Sequence, residues 1–433
     1  MKIKRLTALV LCGSMIIAPA VPCMAEDDAE KTHIVYQTWN PDVSVFEAVK
    51  KDFEEKNPDI VVDYVFVPYT DHIQKLKIDL ASGQGPDVFG LQTGATLKEF
   101  QDFEEDLTDL VVETWGENWT DNYLPFTTEL MKDGDSYYAL PLGTGYAGML
   151  WADKSYFEKY GLEIPTNYDE LKEVAQALRD NGEQYPLAIG AKDDWINIDT
   201  WMNIANDINT EKLYSAIEGE TAFTDADLVQ AFDIWQSLFE EGIVQDGALG
   251  VNMYNDTTDL FDKEGSVPMI ANGAWTINQY LKPDDAVQEI YNGGEHPHTT
   301  FLMDWNNDGK AAGVQYNVEI AVCLNKDSKN KEAAERFITY LVDEGHDLLV
   351  NDYLMYFPSK TNFEFSGELS EEGVENFETL VDWGTNNVAG YRENPYPELK
   401  EAIASNLKAL ALGDVTPEEA AEAVEEVSKT TER

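Results

Sequence analysis

The chain has 433 residues, more than one small core requires, and 43% of them are hydrophobic, with 10 Trp, 21 Tyr and 18 Phe. That length and composition exclude an intrinsically disordered polymer and set two sizeable units as the expectation. The 82 acidic residues against 30 Lys and Arg give a formal net charge of −52, which argues against nucleic acid and anionic membrane surfaces as partners.

The N-terminus reads as an export signal. Lys2, Lys4 and Arg5 form a basic start, Leu6 to Val21 is mostly apolar and uncharged, and Cys23-Met24-Ala25 offers a cleavage site that would leave Glu26 first. Pro19 and Pro22 interrupt the segment, so a cleaved signal peptide over residues 1–25 fits better than a membrane helix. The alternative is a lipid anchor on Cys23, although Ala20-Val21-Pro22 resembles a lipobox poorly. Cleavage would also remove Cys12 and leave Cys323 without a partner for an internal disulfide. No later stretch is apolar for long enough to span a bilayer.

Beyond the signal, strands and helices alternate. Ile34-Val35-Tyr36 reads as a buried strand, and Phe46, Val49 and Phe53 then mark one face of a helix that ends at Asn57-Pro58. Ile60 to Phe66 is a second strand. Ile73, Leu76 and Leu80 give a second helix, closed by Gly83, and Asp87-Val88-Phe89 gives a third strand. Such alternation predicts βαβ units and a mostly parallel sheet. Further on, Thr166 reads as the cap of a helix with Leu171, Val174, Ala175 and Leu178 inward. Residues 330–343 read as a helix with Ala334, Phe337, Ile338 and Leu341 inward. Leu399, Ile403, Leu407 and Leu410 form another helix face, stopped by Gly413, and Thr416-Pro417-Glu418-Glu419 starts a last helix.

Several segments, in this order, resemble the family 1 extracellular solute-binding proteins of ABC importers, the maltose-binding-protein-like carbohydrate group. They are Trp39-Asn40-Pro41, Leu80 to Val88, Tyr138 to Leu142 with Leu150-Trp151-Ala152-Asp153-Lys154, Gly161-Leu162 with Pro165-Thr166, Asn272-Gly273-Ala274-Trp275 and Lys329 to Ala334. Trp151-Ala152-Asp153-Lys154 stands where the family often has Tyr-Asn-Lys. The resemblance implies an α/β clamp of two lobes, each a sheet flanked by helices and discontinuous in sequence. Lobe one is expected at 33–142 and 304–353, and lobe two at 146–299 and 358–433. Gly143 and Gly145 would lie at the first crossing, as a hinge or as a simple turn.

A sugar presents apolar C–H faces and a ring of hydroxyls, so its site needs aromatic platforms together with planar carboxylates and amides. Ligands of open α/β folds bind beyond the carboxyl ends of strands. That rule selects Trp39 and Asn40 after the first strand and Gln92, Thr93 and Gly94 after the third. It also selects Asp194 and Trp195 after the apolar run Leu187-Ala188-Ile189. The resemblance adds Tyr146 and a stacking role for Trp275. Tyr316, Tyr356 and Arg392 are further candidates, with a surface ion pair as the other reading of Arg392. Trp115, Trp119, Trp235 and Trp383 read as packing residues, and Asp87 as structural.

Signals for an enzyme are missing. The five His include His296-Pro297-His298, but no Cys or third His nearby completes a zinc set. There is no G-x-S-x-G, P-loop or G-x-G-x-x-G. Asp304-Trp305-Asn306-Asn307-Asp308-Gly309 matches half of a calcium loop, yet position twelve is Gln315 and not Glu, so it reads as a turn. No metal or cofactor is expected. The expected activity is capture of a mono- or oligosaccharide and its delivery, by a monomer, to membrane permease subunits. The alternatives are a secreted carbohydrate-active enzyme, a binder of a non-sugar solute, and a sensor.

Overall fold

The computed structural model describes residues 31–262, 264–280 and 297–433. The signal segment with Cys12, Cys23 and Glu26 lies outside the described residues, as does His296.

The first lobe is built on a mixed sheet in the order Val388–Tyr391, Val314–Leu324, Val88–Leu91, Thr32–Thr38, Ile60–Phe66, with Leu140–Ala147 also paired to Val314–Leu324. Thr32–Thr38 runs parallel to Ile60–Phe66 and to Val88–Leu91, as the alternating pattern predicts. Val314–Leu324 instead pairs antiparallel with Val88–Leu91 and with Leu140–Ala147. It returns from the other lobe, not through a local helix crossover, so the βαβ handedness rule does not set its direction.

The local reasons are plain. Asp42 caps the helix Val43–Lys56 by accepting the Ser44 and Val45 N–H groups, and the helix buries Val45, Phe46, Val49 and Phe53. Phe46 stacks on Tyr64 with centroids 3.8 Å apart, and Tyr36 and Phe337 close the same cluster. Each such side chain stabilises the lobe by roughly 1.5–3 kcal/mol. Asp87 ties three segments: its carboxylate accepts the Val35 N–H at 2.9 Å, the Ser328 hydroxyl at 2.5 Å and the Asn330 amide at 3.5 Å.

The second lobe holds the larger core and an antiparallel ladder in the order Met269–Asn272, Met149–Asp153, His298–Phe301. Single parallel bridges at Ala188–Ile270 and Leu187–Val244 extend it. Four buried indoles anchor the core. Trp201 stacks on Phe232 at 4.7 Å, and the ring N–H groups of Trp151, Trp235 and Trp305 donate to Gly273 O, Leu407 O and Asn203 Oδ1. The helix over 168–180 is capped by Asn167, one residue later than the sequence pattern places it. Thr166 is bonded instead to the Glu170 carboxylate. The final helix starts at Pro417 as expected, and Thr416 and Glu419 close a capping box there.

The two cores divide the segment 304–353. Trp305, Ala312 and Val314 pack with the second core, whereas Ile320 to Leu349 pack with the first. The first crossing falls at Gly148, between the strands Leu140–Ala147 and Met149–Asp153, with φ of 89°. Gly143 and Gly145 lie inside the preceding strand of the first sheet. A Cβ on Gly143 would sit 2.2 Å from the Tyr356 Cβ, at a φ of 72° that L side chains rarely adopt.

Gly143→Ala should therefore destabilise the protein by more than the roughly 1–2 kcal/mol of left-handed strain alone, because overpacking adds about 1–3 kcal/mol. Gly83→Ala provides the control: φ is 71°, but no atom lies within 4 Å of an added Cβ. Urea unfolding should rank Gly143→Ala well below Gly83→Ala, and equal midpoints would refute the packing account.

Candidate ligand-binding site

Three aromatic rings gather in the second lobe beside a buried cation. Trp195 stands in the first turn of the helix Asp194–Ile217, Tyr254 in the turn Met253–Thr257, and Trp275 just after the strand Met269–Asn272. Trp195 and Tyr254 stack at 5.5 Å, and Trp195 meets Trp275 edge to face at 5.8 Å. The Arg392 guanidinium lies 4.9 Å from the Trp275 centroid and 5.6 Å from that of Trp195, within cation–π range. Trp195 and Trp275 are only partly buried, and Tyr254 is 44% exposed, so the rings keep accessible surface. The Trp275 Nε1–H is buried and has no hydrogen-bond partner among the described residues.

Arg392 is fixed from the opposite side. Its Nε donates to both Asp199 oxygens at 2.9 and 3.0 Å, and Nη2 lies 2.8 Å from Oδ2. Both side chains are almost fully buried, which corrects the surface ion pair expected from so acidic a chain. Burial opposes the Arg392 charge, but Asp199 and then Glu393 outweigh it and raise its pKa. Beside it Glu393 pairs with Lys400 at 2.6 Å.

The first lobe meets this cluster directly. Tyr69 opens the helix Tyr69–Ala81, donates to Gln92 Oε1 and packs edge to face on Trp39 at 5.2 Å. Burial pushes its phenol up to about 12, with Lys400, Glu393, Arg392 and Asp199 all close enough to influence it. Gly94 touches the segment after Val388–Tyr391: an added Cβ would lie 2.8 Å from Glu393 O. The Ala95 N–H donates to Asn394 O at 2.9 Å.

The structure thus gathers Trp39 and Gln92 around Tyr69, and Trp195 and Trp275 around Arg392, with Gly94 against Glu393 and Thr93 buried between Gln92 and Gly94. The remaining candidates take other positions. Asp194 makes an outward ion pair with Lys408 at 2.6 Å. Tyr146 is buried on Phe357 at 5.4 Å and against Gly384, and Tyr356 is core, 2% exposed. Tyr316 packs on Phe126 at 4.4 Å. Asn40 is partly exposed, and its carbonyl accepts the Thr38 hydroxyl at 3.4 Å. In the Asp304 loop the carboxylate accepts the Asp308 and Gly309 N–H groups at 3.0 and 2.7 Å, the bonding of a turn.

Sequence reasoning missed Tyr69, Asp199, Tyr254 and Lys400. Two had usable signals: Tyr69 follows the carboxyl end of the second strand, and Asp199 lies four residues after Trp195, on the same helix face.

Residues 38–346 match the bacterial extracellular solute-binding proteins. The chain belongs to that family. A putative binding protein of Brucella abortus is 26% identical over 348 residues, 79% of this chain and 78% of its own length. The multiple sugar-binding protein of Streptococcus mutans is 22% identical, over 78% of each chain. Among solved structures, one from a study of xylan utilization by Caldanaerobius polysaccharolyticus superposes with a TM-score of 0.76 at 16% identity, covering 91% of this chain and 99% of its own. An ABC substrate-binding protein of Listeria monocytogenes in complex with cycloalternan gives 0.74 at 19% identity, over 92% and 99% of the two chains. These likenesses establish the two-lobed solute-binding fold, and the family is one of binding proteins.

Removing Arg392 leaves the buried Asp199 carboxylate without its cation, and removing Asp199 leaves Arg392 only the longer contact to Glu393 at 3.8 Å. Asp199→Ala and Arg392→Ala should each cost about 3–5 kcal/mol of stability, and the double variant far less than their sum. Denaturant unfolding of the four-protein cycle checks this. Strict additivity would show that the pair does not couple.

Proposed function

We propose that this solute-binding protein works outside the cytoplasm, captures a neutral mono- or oligosaccharide between its lobes, and hands it to the permease of an ABC importer. The observation that carries the reading is the wall of Trp195, Tyr254 and Trp275, partly exposed and backed by the Asp199–Arg392 pair. Flat rings match the C–H faces of a pyranose, and fixed polar groups around them match its hydroxyls. Relatives named for sugar binding support it, among them the Streptococcus mutans protein. The reading includes action as a monomer, and release by signal cleavage in preference to a lipid anchor on Cys23. A ligand that touches both lobes favours the closed arrangement only by its differential affinity for it.

Trp275→Ala tests the site. Loss of a central aromatic anchor should cost about 2 kcal/mol, roughly thirtyfold in affinity, measured by calorimetry on a glycan panel. Because the ring is only partly buried, the urea midpoint should move little. Near-native affinity with a collapsed midpoint would make Trp275 a core residue and remove it from the site.

A further inference from the structure

Of the three carboxylates that act on Arg392, two have cation partners of their own. Asp199 is held by Arg392 and Glu393 by Lys400. Glu319, on the strand Val314–Leu324, has no ion pair among the described residues. Its carboxylate accepts one hydrogen bond, from the Asn317 amide at 3.2 Å. It lies over the backbone of Gly145, where an added Cβ would be 2.5 Å from its Oε2. The glycine is what makes room for it. The side chain is partly accessible, so it is not sealed in the core.

Its surroundings are those of the candidate site. Its strand touches the Arg392–Asp199 pair, since Tyr316 O accepts the Arg392 N–H at 2.9 Å and the Gln315 amide donates to Asp199 O at 3.3 Å, and the charges of Arg392, Glu393 and Asp199 all act on its carboxyl. A second observation at the same spot points to a ligand. Asn317 is 1% exposed, and its Oδ1 has no hydrogen-bond partner among the described residues although its amide N–H groups are used. Trp275 supplies an unpartnered donor of opposite sense. Unmade buried hydrogen bonds are costly and are normally satisfied by protein, water or ligand.

We propose that Glu319 is the ligand-facing acceptor of this site, with its carboxylate taking hydrogen bonds from two neighbouring hydroxyls of the bound sugar. The inference rests on the sugar-binding reading above. A carboxylate that spends only one acceptor site, on the Asn317 amide, keeps capacity on both oxygens for a vicinal diol, and a hydrogen bond to an ionised acceptor is about twice as strong as a neutral one. A cationic ligand fits less well. It would meet Arg392, which already engages the faces of Trp195 and Trp275. An anionic ligand would meet three carboxylates. The consequence is selectivity: a site built to bond hydroxyls rejects analogues that lack them.

Burial raises the Glu319 carboxyl above its ordinary range more than Arg392 lowers it. The ionised form accepts both hydroxyls, so protonation competes with sugar. Affinity should be full well above that raised pKa and fall as pH drops through it.

The test uses the exported protein with maltotriose, chitobiose, stachyose, xylobiose and galactose, carrying forward whichever binds tightest. Glu319→Gln keeps the shape and removes the charge. It should weaken that sugar roughly ten- to hundredfold while the urea midpoint stays near native. As pH is lowered through the raised carboxyl range the native protein should lose affinity, whereas Glu319→Gln should give a nearly flat profile. A sugar that binds both proteins equally, with the same pH profile, would overturn the role of Glu319 and leave the proposed function standing. If no sugar of the panel binds the native protein at millimolar concentration, the proposed function and this inference fall together.

Discussion

The bond between Arg392 and Asp199 ties the parts of this molecule that must work together. The Arg392 N–H donates to Tyr316 O at 2.9 Å, so its backbone continues the edge of the first sheet. Its side chain reaches Asp199 on a helix of the second lobe, and Gln315 donates to the carbonyl of the same residue at 3.3 Å. Tyr214, on that helix, donates to Tyr391 O at 2.9 Å. Sheet edge, helix and aromatic wall are thereby fixed to one point. A buried pair of this kind contributes little net stability, because desolvation of two charges offsets much of their attraction. What it supplies is geometry. The planar guanidinium can lie along an indole face while forking to a carboxylate, and a lysine ammonium can do only one of these well.

That geometry explains why the rings stay partly exposed. Aromatic side chains left in contact with water would ordinarily collapse into the nearest core, since burying a large apolar side chain gains roughly 1.5–3 kcal/mol. Trp195 and Trp275 are held out of the core by the Arg392 group, and Tyr254 is held by stacking on Trp195. The second-lobe core is already occupied by Trp151, Trp201, Trp235 and Trp305, each fully buried. A preformed wall reduces the ordering cost of binding.

The fold was legible in the sequence wherever its signals are local. The face Phe46, Val49, Phe53 packs inward as its spacing implies, and the last helix starts at Pro417 as the Thr416-Pro417-Glu418-Glu419 run implies. The parallel pairing of the first strands follows from strand–helix alternation. The antiparallel entry of Val314–Leu324 does not, because it depends on a return from the other lobe. The site was legible only in part, for physical reasons. Tyr254 sits in a single π-helical turn, Met253–Thr257, too short for periodicity to mark it. Asp199 lies in a helix whose residues from Ile196 to Asn206 are all buried, so amphipathic spacing cannot separate a buried functional carboxylate from a surface one. Arg392 looked like a surface cation because acidic neighbours are plentiful in this chain, and only the tertiary fold shows which carboxylate takes it.

The net charge of −52 bears on the choice of ligand through distance. At physiological ionic strength charges more than about 8 Å apart are largely screened, so most of the acidic surface acts on solubility and not on the site. Within the seam the nearby charges decide: the carboxylates of Asp199, Glu319 and Glu393 against the cations of Arg392 and Lys400. That set leaves one carboxylate in excess, Glu319, placed beside Asn317. An anion would be opposed by both the surface and the site. A cation would be drawn to the surface everywhere, without discrimination, and then meet Arg392 at the rings. A neutral polyol escapes both effects. It gains nothing from long-range steering, so its recognition rests on short contacts alone: hydroxyls to fixed acceptors and C–H faces to the rings. Such contacts distinguish one sugar from another, because each depends on the position of a single hydroxyl.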